Sequence, residues 1–135
     1  MGATTIEYRT LPGTRAAVGR AGAHAVIADR PAGKSGGMGL GFNGGELLAL
    51  SIGGCFCNDM QAIADEMGLE IADLRVTVKI DFNGEPSRAT GVHMAVDCKL
   101  TDGDPSALIE SAKAVTTIGN SVRAGIPVEI GTDRS

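Results

Sequence analysis

The clearest period along the chain is two. Leu74, Val76, Val78, Ile80 and Phe82 alternate with Arg75, Thr77, Lys79 and Asp81, which sets one face of a strand on a core and the other towards water. After the turn signal Asn83-Gly84-Glu85-Pro86 the alternation returns. Val92, Met94, Val96, Cys98 and Leu100 stand against His93, Ala95, Asp97 and Lys99, so the two segments predict an antiparallel hairpin. Upstream the spacing changes to three and four. Leu47, Leu48, Ile52, Cys55, Phe56, Met60, Ile63 and Met67 mark the apolar face of a helix. Asn43-Gly44-Gly45-Glu46 has the form of a capping box that starts this helix, and Gly68 stops it. Asp104-Pro105 starts a second helix with Pro at its first position. Leu108, Ala112, Val115, Ile118, Gly119 and Val122 form its stripe up to Gly125. A short last strand is predicted over Pro127 to Ile130.

Before the first helix, the segments Thr4 to Thr10, Arg15 to Arg20 and Ala23 to Asp29 are separated by the turn signals Leu11-Pro12-Gly13 and Ala21-Gly22. They read as a β-meander. The stretch from Pro31 to Gly41 is too rich in Gly for helix or regular strand and reads as a mobile or tightly folded loop. The order βββ-α-ββ-α-β, built on hairpins, predicts an α+β domain and argues against a doubly wound sheet. At 135 residues, with no internal repeat or linker, the chain reads as a single domain.

Composition narrows the partners. Apolar residues make up 43% but aromatics only 3%, with no Trp, so the core is built from Ala, Val, Ile, Leu and Met and offers little surface for stacking bases. A net charge of -4 with interspersed signs gives no cationic stripe to neutralise phosphates, so nucleic acid is not an expected partner. Gly33-Lys34-Ser35 does not end a strand-loop-helix unit, so the loop is not a phosphate cradle. No uninterrupted apolar run approaches the roughly 20 residues of a membrane helix. The first residues lack a signal peptide, and Ile6 stands where myristoylation after Gly2 needs Ser or Thr. The expectation is a cytoplasmic protein with no membrane partner.

Three Cys is an odd number, which cannot make a fully paired disulfide framework, so at least one thiol needs an explanation. Cys55 lies about three turns after Asn43, where the helix N-terminal charge has faded. A thiolate there needs a cation from elsewhere, and a guanidinium from the meander suits. Gly53 and Gly54, just before it, cost a helix roughly 1 kcal/mol each, which points to close backbone approach or a kink. Cys55 therefore has two readings, a reactive thiol or a small buried apolar residue beside a packing glycine. Cys57 lies about 200° around the helix from Cys55, so a disulfide between them requires unwinding. Cys98, on the apolar face of its strand, reads as a core thiol, although that face can also look onto the helix bearing Cys55. Cys55, Cys57, His24 and His93 lack the paired spacing of structural zinc modules, so neither metal nor cofactor is expected. Asp59, Asp65 and Glu66 read as solvation of the first helix.

Four segments carry a resemblance. Asp29-Arg30-Pro31 to Gly36-Gly37, Glu46-Leu47-Leu48-Ala49, Gly53-Gly54-Cys55-Phe56, and Ala112 to Arg123 with Thr116-Thr117-Ile118-Gly119 occur in the order found in the OsmC/Ohr family. The resemblance covers nearly the whole chain. It implies an intertwined homodimer with a curved sheet around two central helices, and a thiol peroxidase site where the subunits meet. The implied substrate is a small organic or hydrogen peroxide, and the implied reductant an external thiol or dithiol. By the same resemblance Cys55 is the catalytic thiol, Glu46 matches the family's helix-start Glu, and an Arg of the meander completes the site. Arg15 and Arg20 both qualify, and Arg20 is taken as the candidate. The sequence departs from the family at two places. Thr116-Thr117 stands where peroxidase members carry Cys followed by Pro, and Gly45 stands where the hydroperoxide-resistance branch has a carboxylate. The alternative implied by Thr116 is an OsmC-like dimer without peroxide turnover, binding a small ligand or sensing thiols, and Cys57 or Cys98 remains the only internal partner for Cys55.

Overall fold

The computed structural model describes residues 2–132, which divide into two compact units, residues 2–48 and 49–132. The fold class is α+β, as the two periods predict.

In the first unit β1 (Glu7–Thr10), β2 (Ala17–Ala21) and β3 (His24–Ala28) form an antiparallel meander in the order β1-β2-β3. Tyr8 pairs with Gly19 and Val18 with Ile27. The Gly-rich loop that follows is tightly folded around Asp29. This buried carboxylate accepts the backbone N–H groups of Arg30 at 2.8 Å, Met38 at 3.1 Å and Leu40 at 3.0 Å. Those bonds, Leu40's foremost, hold the Asp29 carboxyl below its ordinary value against the opposing effect of burial. At Gly36, which has φ +82°, a Cβ would run into the stem of Arg15, so only glycine lets the Arg15 side chain lie across the loop.

The capping box forms as predicted. Glu46 N–H donates to Asn43 Oδ1 at 2.8 Å, and Asn43 N–H donates to Glu46 Oε1 at 2.9 Å. α1 runs from there over Gly44–Met67. By length and composition α1 is apolar enough to cross a membrane, although polar residues interrupt its apolar positions. Its Ile52, Phe56, Met60 and Ala64 are instead buried within the protein.

In the second unit β4 (Ile71–Asn83) and β5 (Arg88–Leu100) form the long antiparallel hairpin, with Val76 opposite Val96 and Val78 opposite Met94. Their apolar face packs on a core of Phe56, Met60, Ala64, Leu100, Leu108 and Ala112. Each large member is worth about 1.5–3 kcal/mol of burial.

Two sequence expectations are corrected. The single helix expected up to Gly125 is broken into α2 (Ser106–Val115) and α3 (Thr117–Ala124), because Thr116 adopts ψ 110° and turns the chain out of its helical path. The apolar stripe breaks with it: Leu108 and Ala112 are buried, but Val115 is 55% exposed. The expected strand from Pro127 to Ile130 pairs with no described strand, and its residues form no regular element.

Candidate functional site

The helix break is what builds the site. With Thr116 rotated out of α2, its side chain turns inward and is 5% exposed. Its hydroxyl donates to Cys55 Sγ at 3.9 Å. One turn along α1, Asp59 Oδ2 accepts the Cys55 S–H at 3.8 Å. The half-buried sulfur thus has a hydroxyl donor on one side and a carboxylate acceptor on the other. Both contacts are long, as hydrogen bonds to the large sulfur atom are.

Gly53 and Gly54 have different surroundings. A Cβ on Gly53 would meet Val78 Cγ2 at 2.9 Å, so this glycine lets α1 sit close on β4, whereas a Cβ on Gly54 would meet nothing within 4 Å. The packing reading of the Gly pair therefore holds at its first member.

Thr116 also lines a groove of about 690 Å³ between the hairpin and the second-unit helices. Ile52, Phe56, Met94 and Ile109 supply its apolar wall, with Lys113 and Arg123 among its polar residues. Lys113 is held by Glu110 at 3.2 Å, and Arg123 by the Asn120 side chain at 2.6 Å.

The other expected site residues lie as follows. Glu46 closes the helix cap with Oε1. Arg20, exposed on β2, borders a hollow of about 190 Å³ together with Tyr8 and His24. Cys57 is half-buried on α1 and, like Cys55 and Cys98, is unpaired. Cys98 packs against the apolar core. Burial foremost, then the Asp97 and Asp73 carboxylates, push the Cys98 thiol up, which suits a partly buried thiol packed on the core rather than an attacking one. Sequence reasoning missed Asp59, whose i,i+4 spacing from Cys55 was a usable signal, and missed that Thr116 touches the sulfur, which depends on a break no periodicity announced. Among the described residues no group of three His, Cys, Asp or Glu gathers as a metal site.

Fold and site together define a small α+β protein in which a thiol on α1 touches the junction between α2 and α3. A family model described as OsmC-like protein matches residues 36–131, and the chain belongs to that family. Solved structures share the fold. An OsmC-like protein from Mycoplasma pneumoniae superposes with a TM-score of 0.75 at 12% identity, over 90% of this chain and 88% of that one. An organic hydroperoxide resistance protein OsmC from Legionella pneumophila gives 0.64 at 18% identity, over 91% and 90%. An organic hydroperoxide resistance protein from Elizabethkingia anophelis gives 0.66 at 18%, over 91% and 89%. At these identities the likeness is one of fold. No curated protein matches the chain.

Proposed function

We propose that this OsmC-family chain is a cytoplasmic, homodimeric peroxide-defence protein in which Cys55 reduces a small organic or hydrogen peroxide. The observation that carries the reading is the half-buried Cys55 sulfur contacted by Thr116, a residue that itself lines an apolar groove large enough for a small hydroperoxide. The names of the hydroperoxide-resistance proteins that share the fold support the same role. In the reaction the Cys55 thiolate attacks the distal peroxide oxygen and the O–O bond breaks. The alkoxide leaves and takes up a proton to become the alcohol, and the sulfur is oxidised to sulfenic acid. With Thr116 on the second-helix side, an external thiol condenses with the sulfenic acid and releases water. A second external thiol then displaces Cys55 from the mixed disulfide.

The test is consumption of cumene hydroperoxide in the presence of a dithiol, with Cys55→Ser as control. Turnover above buffer that Cys55→Ser abolishes supports the reading. No turnover by reduced, folded protein sinks it. Asp59 favours a second reading, because its carboxylate engages the protonated thiol. In that reading the groove binds a small apolar ligand, or Cys55 senses thiols, without turnover.

A further inference from the structure

We infer that Thr116 and Asp59 set the reactivity of Cys55 in opposite directions, the Thr116 hydroxyl promoting attack by the sulfur and the Asp59 carboxylate restraining it. The inference rests on Cys55 being the reacting thiol of the proposed function.

The geometry separates the two partners by what each can do when the thiol loses its proton. Thr116 is a buried hydroxyl, and the contact that satisfies it is Cys55 Sγ. A hydroxyl that donates to sulfur gains strength as negative charge builds there, because hydrogen bonds to charged acceptors are roughly twice as strong as neutral ones. It also remains in place to donate to the oxygen of a sulfenic acid formed on the same atom. Asp59 acts in the reverse sense. Its Oδ2 accepts the S–H at 3.8 Å, a bond that exists only while the thiol keeps its proton. Once the proton has gone, the same carboxylate faces a second negative charge at the same distance. Among the described residues, no other side chain makes a hydrogen bond or ion pair to the Asp59 carboxylate or to the Cys55 sulfur. In the conversion of thiol to sulfenic acid, Thr116 is therefore a catalytic residue that touches the reacting atom. Asp59 is a brake on that conversion, through its contact with the same sulfur.

The experiment measures the rate of Cys55 modification at a single pH near neutrality, resolved by peptide mass spectrometry. Two probes are used on the full chain: cumene hydroperoxide in stoichiometric amount, and iodoacetamide. Asp59→Asn keeps the shape and an acceptor but removes the charge. It should speed modification by roughly tenfold, a value between the water and near-surface limits for a like charge about 4 Å away. Thr116→Val should slow it about fivefold, the size of one hydrogen bond. Thr116→Ser, which keeps the donor, should stay close to the parent rate. Each variant is compared with the parent by thermal unfolding. An Asp59→Asn rate equal to or below the parent's overturns the brake. A Thr116→Val rate equal to the parent's overturns the donor, and so does a Thr116→Ser rate as slow as that of Thr116→Val, because packing rather than the hydroxyl would then be the cause. The two probes keep this inference distinct from the proposed function. Iodoacetamide rates in the stated order, with no Cys55 sulfenic acid from hydroperoxide, would leave the opposed effects of Thr116 and Asp59 on the sulfur standing, but would remove the peroxidase and with it the catalytic role of Thr116.

Discussion

At the scale of single residues, Gly53 and Gly54 are adjacent in α1 and share the same helical propensity, so a difference between them isolates packing. Gly53→Ala forces a methyl onto Val78 Cγ2, and overpacking of this kind costs typically about 1–3 kcal/mol. Gly54→Ala meets open space and should stabilise the helix by up to about 1 kcal/mol. Urea unfolding midpoints should therefore move in opposite directions for the two variants. A shared direction would mean that Gly53 does not mark the close approach of α1 to β4. The sequence announced that a Gly pair beside a Cys required some reason, yet it gave no way to say which glycine supplied it. Propensity is local, and the neighbouring Val78 is brought in by a strand 25 residues away. Thr116 was opaque for a related reason. It entered only as a missing Cys, because contact with Cys55 needs both a helix break and the packing of two elements 61 residues apart in sequence.

At the scale of elements, what could be read was what local pattern controls. The meander, the hairpin and α1 follow from alternation, turn residues and a capping box, and each is where its pattern predicts. The break between α2 and α3 had no local signal beyond two adjacent β-branched residues, Thr116 and Thr117. It coincides with the place at which the resemblance implies a Cys followed by Pro. Thr117 is the first residue of α3, a position that suits proline, so a Cys-Pro pair there would put a thiol at the junction and start the next helix. The cap at the head of α1 gives a separable prediction. Asn43→Ala should cost about 1 kcal/mol of stability. Glu46→Gln keeps an acceptor for the Asn43 N–H and should retain near-parental stability and hydroperoxide turnover, whereas turnover lost with stability intact would place Glu46 in the chemistry. The loop after β3 gives a pH-dependent one. Its three N–H bonds favour ionised Asp29, whose folded value lies below the ordinary 3.8. The unfolded state therefore binds more protons in the acid range. The stabilisation is complete above 3.8 and is lost as pH falls through the lower folded value. As pH falls below 3.8 the parent should lose stability more steeply than Asp29→Asn, which has no such proton to take up. Parallel acid limbs in the two proteins would show that the loop does not depend on the charge.

At the scale of the whole molecule, the apolar residues outnumber the places where one chain buries them. The large side chains buried almost completely among the described residues are Phe56, Ile52, Met60 and Leu108. Ile126, Val128 and Ile130, by contrast, are 65%, 78% and 93% exposed. These three recur at a spacing of two, the pattern of a strand with one apolar face, and overlap the segment from Pro127 to Ile130 where a last strand was expected and none pairs among the described residues. A period-two segment with no strand beside it among the described residues has its pairing groups and its apolar face available to another chain. The reading of the chain as a homodimer supplies that partner, and it accounts for a strand signal the single chain leaves unused. The chain should therefore run as a dimer by size-exclusion chromatography with light scattering. Val128→Asp should weaken the dimer roughly tenfold or more, since burial of one such side chain is worth about 1.5–3 kcal/mol. A monomeric parent would remove the dimer. A dimer whose strength is unchanged by Val128→Asp would place the contact away from this segment and leave its alternation without a structural use.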